Sequence, residues 1–472
     1  MADAVSVRIL DAEGGEGAPA AGHTVVEGTM VFGDAYPAAP RATPLTLSEE
    51  RPYRFAPDEY YSEVMFHGPL FRSVTSIDRC GAEGAEARVS SGEQTGFFRA
   101  TPKASFTIDP VLFDAAGQLV GFWTADRLDR KFVIFPVGFS ALDLYRPVLS
   151  ASEPLTCRVR QPILRDDRVS SDIEFLDSAG RLVARFERWE DMRFDFAREI
   201  VRFVLSPRDR MLSEPWPEVA ERFGPGGTVG SSRILLNRLP REAFDPSQMW
   251  HAAWGRLVLV PSERDEWRRV PEPRRANWLA GRLAAKDAVR RLLALRHGLQ
   301  VCPGDVEIAN DEHGAPVARG RWTDRVGGPP AMSLTHADGV AVAVAVDGDS
   351  RAGVGVDLEV LRDFSDQFLA TAFTGDERRL FATLEPPAAR EWAVRLWCAK
   401  EALGKALGRG LIGGPRAVVV RRLDPATGQV EMTLTGALAK LVDGSATRTF
   451  QAATIREGDL IVACARVADR PT

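Results

Sequence analysis

Four charged residues, far apart in the chain, have the types and spacing to do chemistry together. Asp357 and Glu359 lie in Gly353-Val354-Gly355-Val356-Asp357-Leu358-Glu359, which alternates like a β-strand. On a strand, side chains two apart share a face, so these carboxylates point the same way. Glu401 and Lys405 lie in Trp397–Gly408, which reads as a helix. Residues four apart on a helix stack, so Trp397, Glu401 and Lys405 form one stripe. If that stripe faces the strand, three carboxylates converge beside one ammonium. Like charges that close raise one another's pKa, and a hard divalent cation relieves them. Mg²⁺ held by carboxylates usually serves a phosphate-bearing substrate, which Lys405 would meet as a point charge. The plainer alternative is an amphipathic helix with a surface Glu–Lys pair beside an ordinary strand.

Elements must exist to bring these groups together. Val340–Val346 is an uninterrupted apolar run, read as a buried strand leading to the acidic one. Before it, Arg264 to Arg296 holds ten basic residues. Residues 277–295 read as a helix with Arg282, Lys286 and Arg290 stacked at four-residue steps. Residues 232–239 and 254–259 read as strands, 360–390 carries helix, and 417–423, 429–434, 449–454 and 460–466 alternate as strands.

The N-terminal half reads differently. Short alternating runs such as Thr24–Phe32 suggest strands and loops. A helix begins at Pro110, with Asp109 a good N-cap and Pro a good first residue. It is apolar nearly all round, so it should be buried. Asp114 and Gln118 interrupt that apolar surface and share a face. A carboxylate in such a helix is costly unless paired or protonated, which suits general-acid work. Strands follow over 132–144, 155–165, 169–176 and 182–193. Residues 205–230 are punctuated by Pro and Gly and read as an interdomain linker with a short helix near 219–223.

Composition bounds the rest. The chain has 472 residues, a formal charge of −5, 45% hydrophobic and 26% charged residues, so neither nucleic acid nor membrane is an expected partner. Five scattered cysteines without a CxxC argue against a disulfide framework or zinc site. The first twenty residues carry no signal-peptide pattern and no apolar run approaches membrane-spanning length, so a cytoplasmic protein is expected.

The strand and helix motifs together resemble the two signatures of the 4'-phosphopantetheinyl transferases of the larger, surfactin-synthetase-activating type. Gly281-Arg282 with Lys286 is similar to that family's G-R-x-x-x-K element, and Ser333-Leu334-Thr335-His336 to its S-x-S-H element, with Thr335 in place of Ser. Asp311–Pro316 carries Ala315 where relatives usually have Lys. Phe373 and Glu377 match an F-x-x-x-E segment near which relatives place carrier-protein contacts. The resemblance implies Mg²⁺ on Asp357, Glu359 and Glu401, and coenzyme A phosphates held by Arg282, Lys286, Thr335, His336 and Lys405. It implies Glu401 as base toward the serine of an apo acyl carrier protein, with Lys405 and His336 assisting. It also implies two similar α/β halves, about 231–350 and 351–472, with the active site between them.

The N-terminal half resembles the dehydratase domains of polyketide and polyunsaturated-fatty-acid synthases, which are double hot-dog folds. The HGP-x-F loop matches at His67–Phe71 and the D-x-x-x-Q element of the second hot dog at Asp114 and Gln118. In that family the Asp protonates the leaving β-hydroxyl, and a His in H-x-x-x-G-x-x-x-x-P on the first hot dog takes the α-proton. That motif is absent: Gly28 follows His23 one residue too late. His67 is expected to be a loop-packing residue. The expected organisation is α+β: a dehydratase-like double hot dog over 1–204 with its first hot dog incomplete, a linker over 205–230, and the transferase over 231–472. The whole resembles the C-terminal end of an iterative synthase such as the enediyne type. Dehydration of a β-hydroxyacyl carrier thioester is the alternative activity, and a dimer through the hot-dog domain a further expectation.

Overall fold

The computed structural model describes residues 3–10, 24–92, 97–98, 100–101, 106, 108–128, 132–147, 153–165, 167–195, 198–224, 229–239, 249–347, 352–442 and 448–470. His23 and parts of the 205–230 stretch lie outside the described residues. The chain forms two compact units, Met1–Asp195 and Phe196–Thr472.

The first unit opens with an antiparallel hairpin, β1 (Asp3–Leu10) and β2 (Thr24–Phe32). Seven further strands make one antiparallel sheet: β3 (Val74–Gly81), β4 (Gly84–Val89), β5 (Phe132–Gly138), β6 (Ala141–Leu144), β7 (Leu155–Arg165), β8 (Arg168–Leu176) and β9 (Leu182–Asp195). Their order is β3-β4-β7-β8-β9-β5, with β6 on β9. Helix α1 (Pro110–Arg127) lies in the sheet's concavity, burying Leu112, Leu119 and Phe122 against Val159, Phe175 and Phe186. The Asp109 carboxylate caps it, accepting from Val111 N at 2.9 Å and Leu112 N at 3.2 Å. Among the described residues of the first unit this is the one sheet-and-helix layer. Before it, the described residues hold the β1–β2 hairpin and, over 33–73, loops and short helical turns.

In the second unit, α2 (Arg198–Leu205) and α3 (Pro217–Glu221) lead into a first half. It comprises β10 (Val229–Leu235), α4 (Met249–Val258), α5 (Pro261–Arg269), α6 (Glu272–His297), β11 (Glu307–Asn310), β12 (Pro316–Arg319), α7 (Thr323–Val326), β13 (Ala331–Ala337) and β14 (Val340–Val346). The second half comprises β15 (Gly353–Val360), α8 (Asp366–Ala372), α9 (Gly375–Ala382), α10 (Pro386–Ala406), β16 (Val418–Asp424), β17 (Gln429–Leu434), α11 (Gly436–Leu441), β18 (Phe450–Glu457) and β19 (Leu460–Val467). Sheets β10-β14-β13 and β15-β19-β18-β17-β16 are both antiparallel. Residues 254–259, expected as a strand, instead fall largely in α4. A short apolar run does not by itself separate the two states.

The halves repeat one plan, which a buried ion pair marks in each. Glu263 accepts from Val260 N (3.0 Å) and Ile308 N (2.9 Å) and meets Lys286 Nζ at 2.6 Å. Glu377 accepts from Thr374 N (2.7 Å) and Val420 N (2.8 Å) and meets Lys400 Nζ at 2.8 Å. Each lysine also donates to a proline carbonyl, Pro303 at 3.1 Å and Pro415 at 3.2 Å. The same number of residues separates Glu263 from Lys286 and Glu377 from Lys400, which aligns α5 with α9 and α6 with α10. Between the halves, Val340, Val342, Val344 and Val346 pack on Val354, Val356, Leu358 and Val462. This apolar seam explains the uninterrupted hydrophobic run of β14, buried on both faces.

Candidate active site

The strand β15 lies against α10 because two of its positions carry no side chain. A Cβ at Gly353 or Gly355 would fall 1.8 Å from the carbonyl oxygen of Ala406 or Ala402. That close approach brings Asp357 and Glu359 to the helix stripe of Trp397, Glu401 and Lys405. With Leu334–Ala337 of β13 they line one cavity of about 400 Å³. Lys405 Nζ donates to Asp357 Oδ1 at 2.8 Å and to Val356 O at 3.3 Å. Thr335 Oγ1 donates to the same Asp357 oxygen at 3.1 Å. The Ser333 hydroxyl accepts from Val356 N at 3.1 Å, tying β13 to β15. Glu359 accepts from Trp397 Nε1 at 3.2 Å and from Arg362 at 2.9 Å.

Burial pushes the Glu401 carboxyl above the usual range, and neighbouring Asp357 and Glu359 add to that. Burial does the same to Glu359, opposed by Arg362 and reinforced by Asp357. Three carboxylates therefore border one cavity, as the spacing requires. They are not drawn into a cage: among the described residues, no three His, Cys, Asp or Glu stand close enough to hold a metal. Glu359 is turned aside by its two donors. The donor chemistry still suits a hard divalent cation, since oxygen ligands crowded by burial and mutual repulsion gain from a positive charge.

A second cavity of about 490 Å³ shares Leu334, His336 and Lys405 with the first and runs to Trp278, Arg282 and His313. Arg282 is 6% exposed; its guanidinium lies 4.7 Å over the Trp278 ring and donates to Glu266 at 3.0 and 3.1 Å. His336 is exposed and borders both cavities.

One expected ligand contact is corrected. Lys286 lines neither cavity: it is 0% exposed, paired with Glu263 and with the carbonyls of Pro303 and Val306. Burial holds its pKa down. It braces the first half as Lys400 braces the second. Thr335 borders the cavity and its hydroxyl donates to Asp357 Oδ1. Glu266, Trp278 and His313, which sequence reasoning did not single out, line the second cavity.

The aligned helices also place Asp287 opposite Glu401 and Arg291 opposite Lys405. There the space is filled by protein. Ser213 Oγ donates to Asp287 Oδ2 at 2.8 Å and lies 3.1 Å from Ser232 Oγ. Arg291 donates to Ser213 O, and Arg290 grips Asp287 at 2.7 Å and the carbonyls of Arg208 and Arg210 at 2.9 and 3.0 Å. The stretch 205–230, expected as a linker, is thus built into the second unit: its described part buries Trp216, Val219 and Phe223 in the core.

In the first unit, Asp114 and Gln118 meet as their spacing predicts, with Gln118 Nε2 donating to Asp114 Oδ2 at 2.6 Å and to Phe71 O at 2.8 Å. Tyr61 donates to Gln118 Oε1 at 2.7 Å. His67, expected to be packing only, stacks on Phe66 but also sets Nε2 3.2 Å from Asp114 Oδ2.

Known proteins divide along the same line. Residues 39–195 match the polyketide synthase dehydratase N-terminal domain, and residues 353–464 the 4'-phosphopantetheinyl transferase superfamily. Solved structures similar to this chain include the dehydratase domain of RzxB from Pseudomonas fluorescens, at 21% identity and TM-score 0.24, covering 29% of this chain and 48% of that one. Another is the dehydratase domain from the CurH module of curacin polyketide synthase, at 17% identity and TM-score 0.30, covering 41% and 66%. The chain spans about half the length of the RzxB domain. Curated relatives include the holo-[acyl-carrier-protein] synthase of Geobacillus kaustophilus, 37% identical over 89 residues, which are 19% of this chain and 67% of the relative. That of Bacillus pumilus is 34% identical over 88 residues, covering 18% and 69%. With an α+β chain, the strand and helix signatures in one cavity and relatives of this identity, the chain belongs to the 4'-phosphopantetheinyl transferase superfamily.

Proposed function

We propose that the second unit transfers the 4'-phosphopantetheine arm of coenzyme A to a serine hydroxyl of an apo acyl carrier protein or carrier domain. The observation that carries this is one cavity bordered by Asp357, Glu359, Glu401, Lys405 and His336, continuous with a second cavity that ends on Arg282. Asp357, Glu359 and Glu401 would hold Mg²⁺, which when bound supplies charge to a pyrophosphate and its leaving group. Lys405 meets the pyrophosphate as a fixed cation, kept in place by Asp357 and the Val356 carbonyl. His336 and Arg282 orient the nucleotide along the second cavity. Glu401, with its raised proton affinity, takes the serine proton. The serine oxygen bonds to the phosphorus bearing pantetheine, and the bond to adenosine 3',5'-bisphosphate breaks. Incubation with coenzyme A, Mg²⁺ and an apo carrier should raise the carrier's mass by one phosphopantetheine. An unchanged carrier mass with wild-type protein, while an authentic transferase loads the same carrier, rejects the assignment.

A second reading concerns the first unit, where the His67–Asp114 contact favours dehydration of a β-hydroxyacyl carrier thioester. Asp114, steadied by Gln118, would protonate the departing hydroxyl while His67 accepts the α-proton in place of the missing first-hot-dog histidine. Formation of an α,β-unsaturated thioester that is lost in both His67→Gln and Asp114→Asn tests it.

A further inference from the structure

The cation of the second cavity is already occupied, and by the protein itself. Arg282 donates to both carboxylate oxygens of Glu266, and Trp278 Nε1 donates to one of them at 3.3 Å. Glu266 therefore sits where an anion would sit, on the guanidinium that lies over Trp278. Its side chain is 47% exposed, whereas that of Arg282 is 7% exposed. The arginine is fixed and the carboxylate is free to swing into solvent.

The repeat shows that the fold does not need this ion pair. With Glu263 aligned to Glu377 and Lys286 to Lys400, Glu266 corresponds to Leu380 and Arg282 to Leu396. Leu396 is buried in the apolar core of the second half and Leu380 packs against it, partly buried. Trp278 corresponds to Trp392 in the same register. Beside its buried Glu377–Lys400 brace, one copy has leucines at these two positions. The other has placed a charge pair there, at the wall of a cavity.

We propose that Glu266 is an internal stand-in for phosphate: a latch that holds Arg282 in its binding pose and must be displaced by an anionic nucleotide. This rests on the reading that the second cavity takes the nucleotide of coenzyme A. Two consequences follow from charge. A monoanionic carboxylate loses to a ligand phosphate that carries more charge and a third oxygen, so the latch selects phosphorylated nucleotides over carboxylate-bearing metabolites. It also costs affinity, because the Arg282–Glu266 contact is broken on binding. Glu266 is thus a specificity-determining residue, distinct from the groups that touch the reacting atoms.

Calorimetric titration with adenosine 3',5'-bisphosphate, without carrier or metal, tests this on the full chain. Glu266→Gln removes the charge and keeps the shape. Glu266→Leu installs the residue the second half uses and should leave thermal melting unchanged. Both should bind the bisphosphate about two- to fivefold more tightly than wild type, the size expected for losing one competing half-exposed ion pair. In the loading assay KM for coenzyme A should fall with kcat unaltered. Affinity unchanged or weakened in well-folded Glu266→Gln overturns the latch and makes Glu266 a support for Arg282. Absence of binding by wild type and variants alike overturns the nucleotide reading, and the latch with it.

Discussion

The two halves of the second unit carry the same frame with opposite outcomes. In the first half Gly230 abuts Ala288 as Gly355 abuts Ala402 in the second, so Ser232, Asp287 and Arg291 occupy the positions of Asp357, Glu401 and Lys405. Ser213 and the carbonyls of Arg208 and Arg210 close over the first set. The second set faces a cavity of about 400 Å³. Each half keeps its buried lysine–glutamate brace, so the difference lies in what covers the site. Where backbone seals the polar cluster, charge supports structure. Where it is left open, carboxylates repel one another and gain from an incoming cation. A repeat in which one copy is plugged leaves the other free to be expensive.

The largest expected effect lies in the open copy. Glu401→Gln should lower carrier loading by about three orders of magnitude, the scale of losing a general base and a charged ligand together, with unchanged melting. Asp287→Asn at the matching position should do the reverse. It strips Arg290 of its buried partner and should destabilise by about 3–5 kcal/mol in denaturant unfolding, with loading per folded molecule retained. If Asp287→Asn abolished loading in folded protein, the sealed copy would have a role in catalysis and the comparison would break.

The braces should respond alike. Lys286→Met and Lys400→Met each leave a buried glutamate unpaired and should each cost about 3–5 kcal/mol. A large inequality between them would mean the halves do not share one scaffold. Next in size, Thr335→Val removes a hydrogen bond to Asp357 and should slow loading roughly tenfold, with Thr335→Ser near wild type.

The smallest effect is on pH dependence. Glu359 and Glu401 have folded-state pKa values above their unfolded ones. Their contribution is therefore fully favourable below the unfolded carboxylate range and is lost as pH rises through the folded values. Metal-free protein should lose stability over that rise, Glu401→Gln should flatten the loss, and Mg²⁺ should offset it.

Much of the site could be read from spacing. Period two put Asp357 and Glu359 on one face, period four put Trp397, Glu401 and Lys405 on one stripe, and the structure lines one cavity with all five. The cap of α1 at Asp109 and Pro110 was equally plain. Lys286 was misread because four-residue stacking with Arg282 says nothing of how far each side chain reaches into the core. Arg282 ends at a cavity wall, while Lys286 meets Glu263 across the interior. The stretch 205–230 has the Pro and Gly content of a connector. Its buried Trp216 and the carbonyls held by Arg290 are tertiary facts with no local signature. His67 could not be paired with Asp114 from sequence, since the contact joins a loop to a helix far along the chain.

The grip of Arg290 on the stretch just past α2 sets where this enzyme can be divided. A cut at residue 231 would leave a guanidinium and the Asp287 carboxylate facing water-filled space built for peptide carbonyls, along with an uncovered Trp216 socket. An excised second unit should therefore begin ahead of Ser206, because that stretch is packed as part of it.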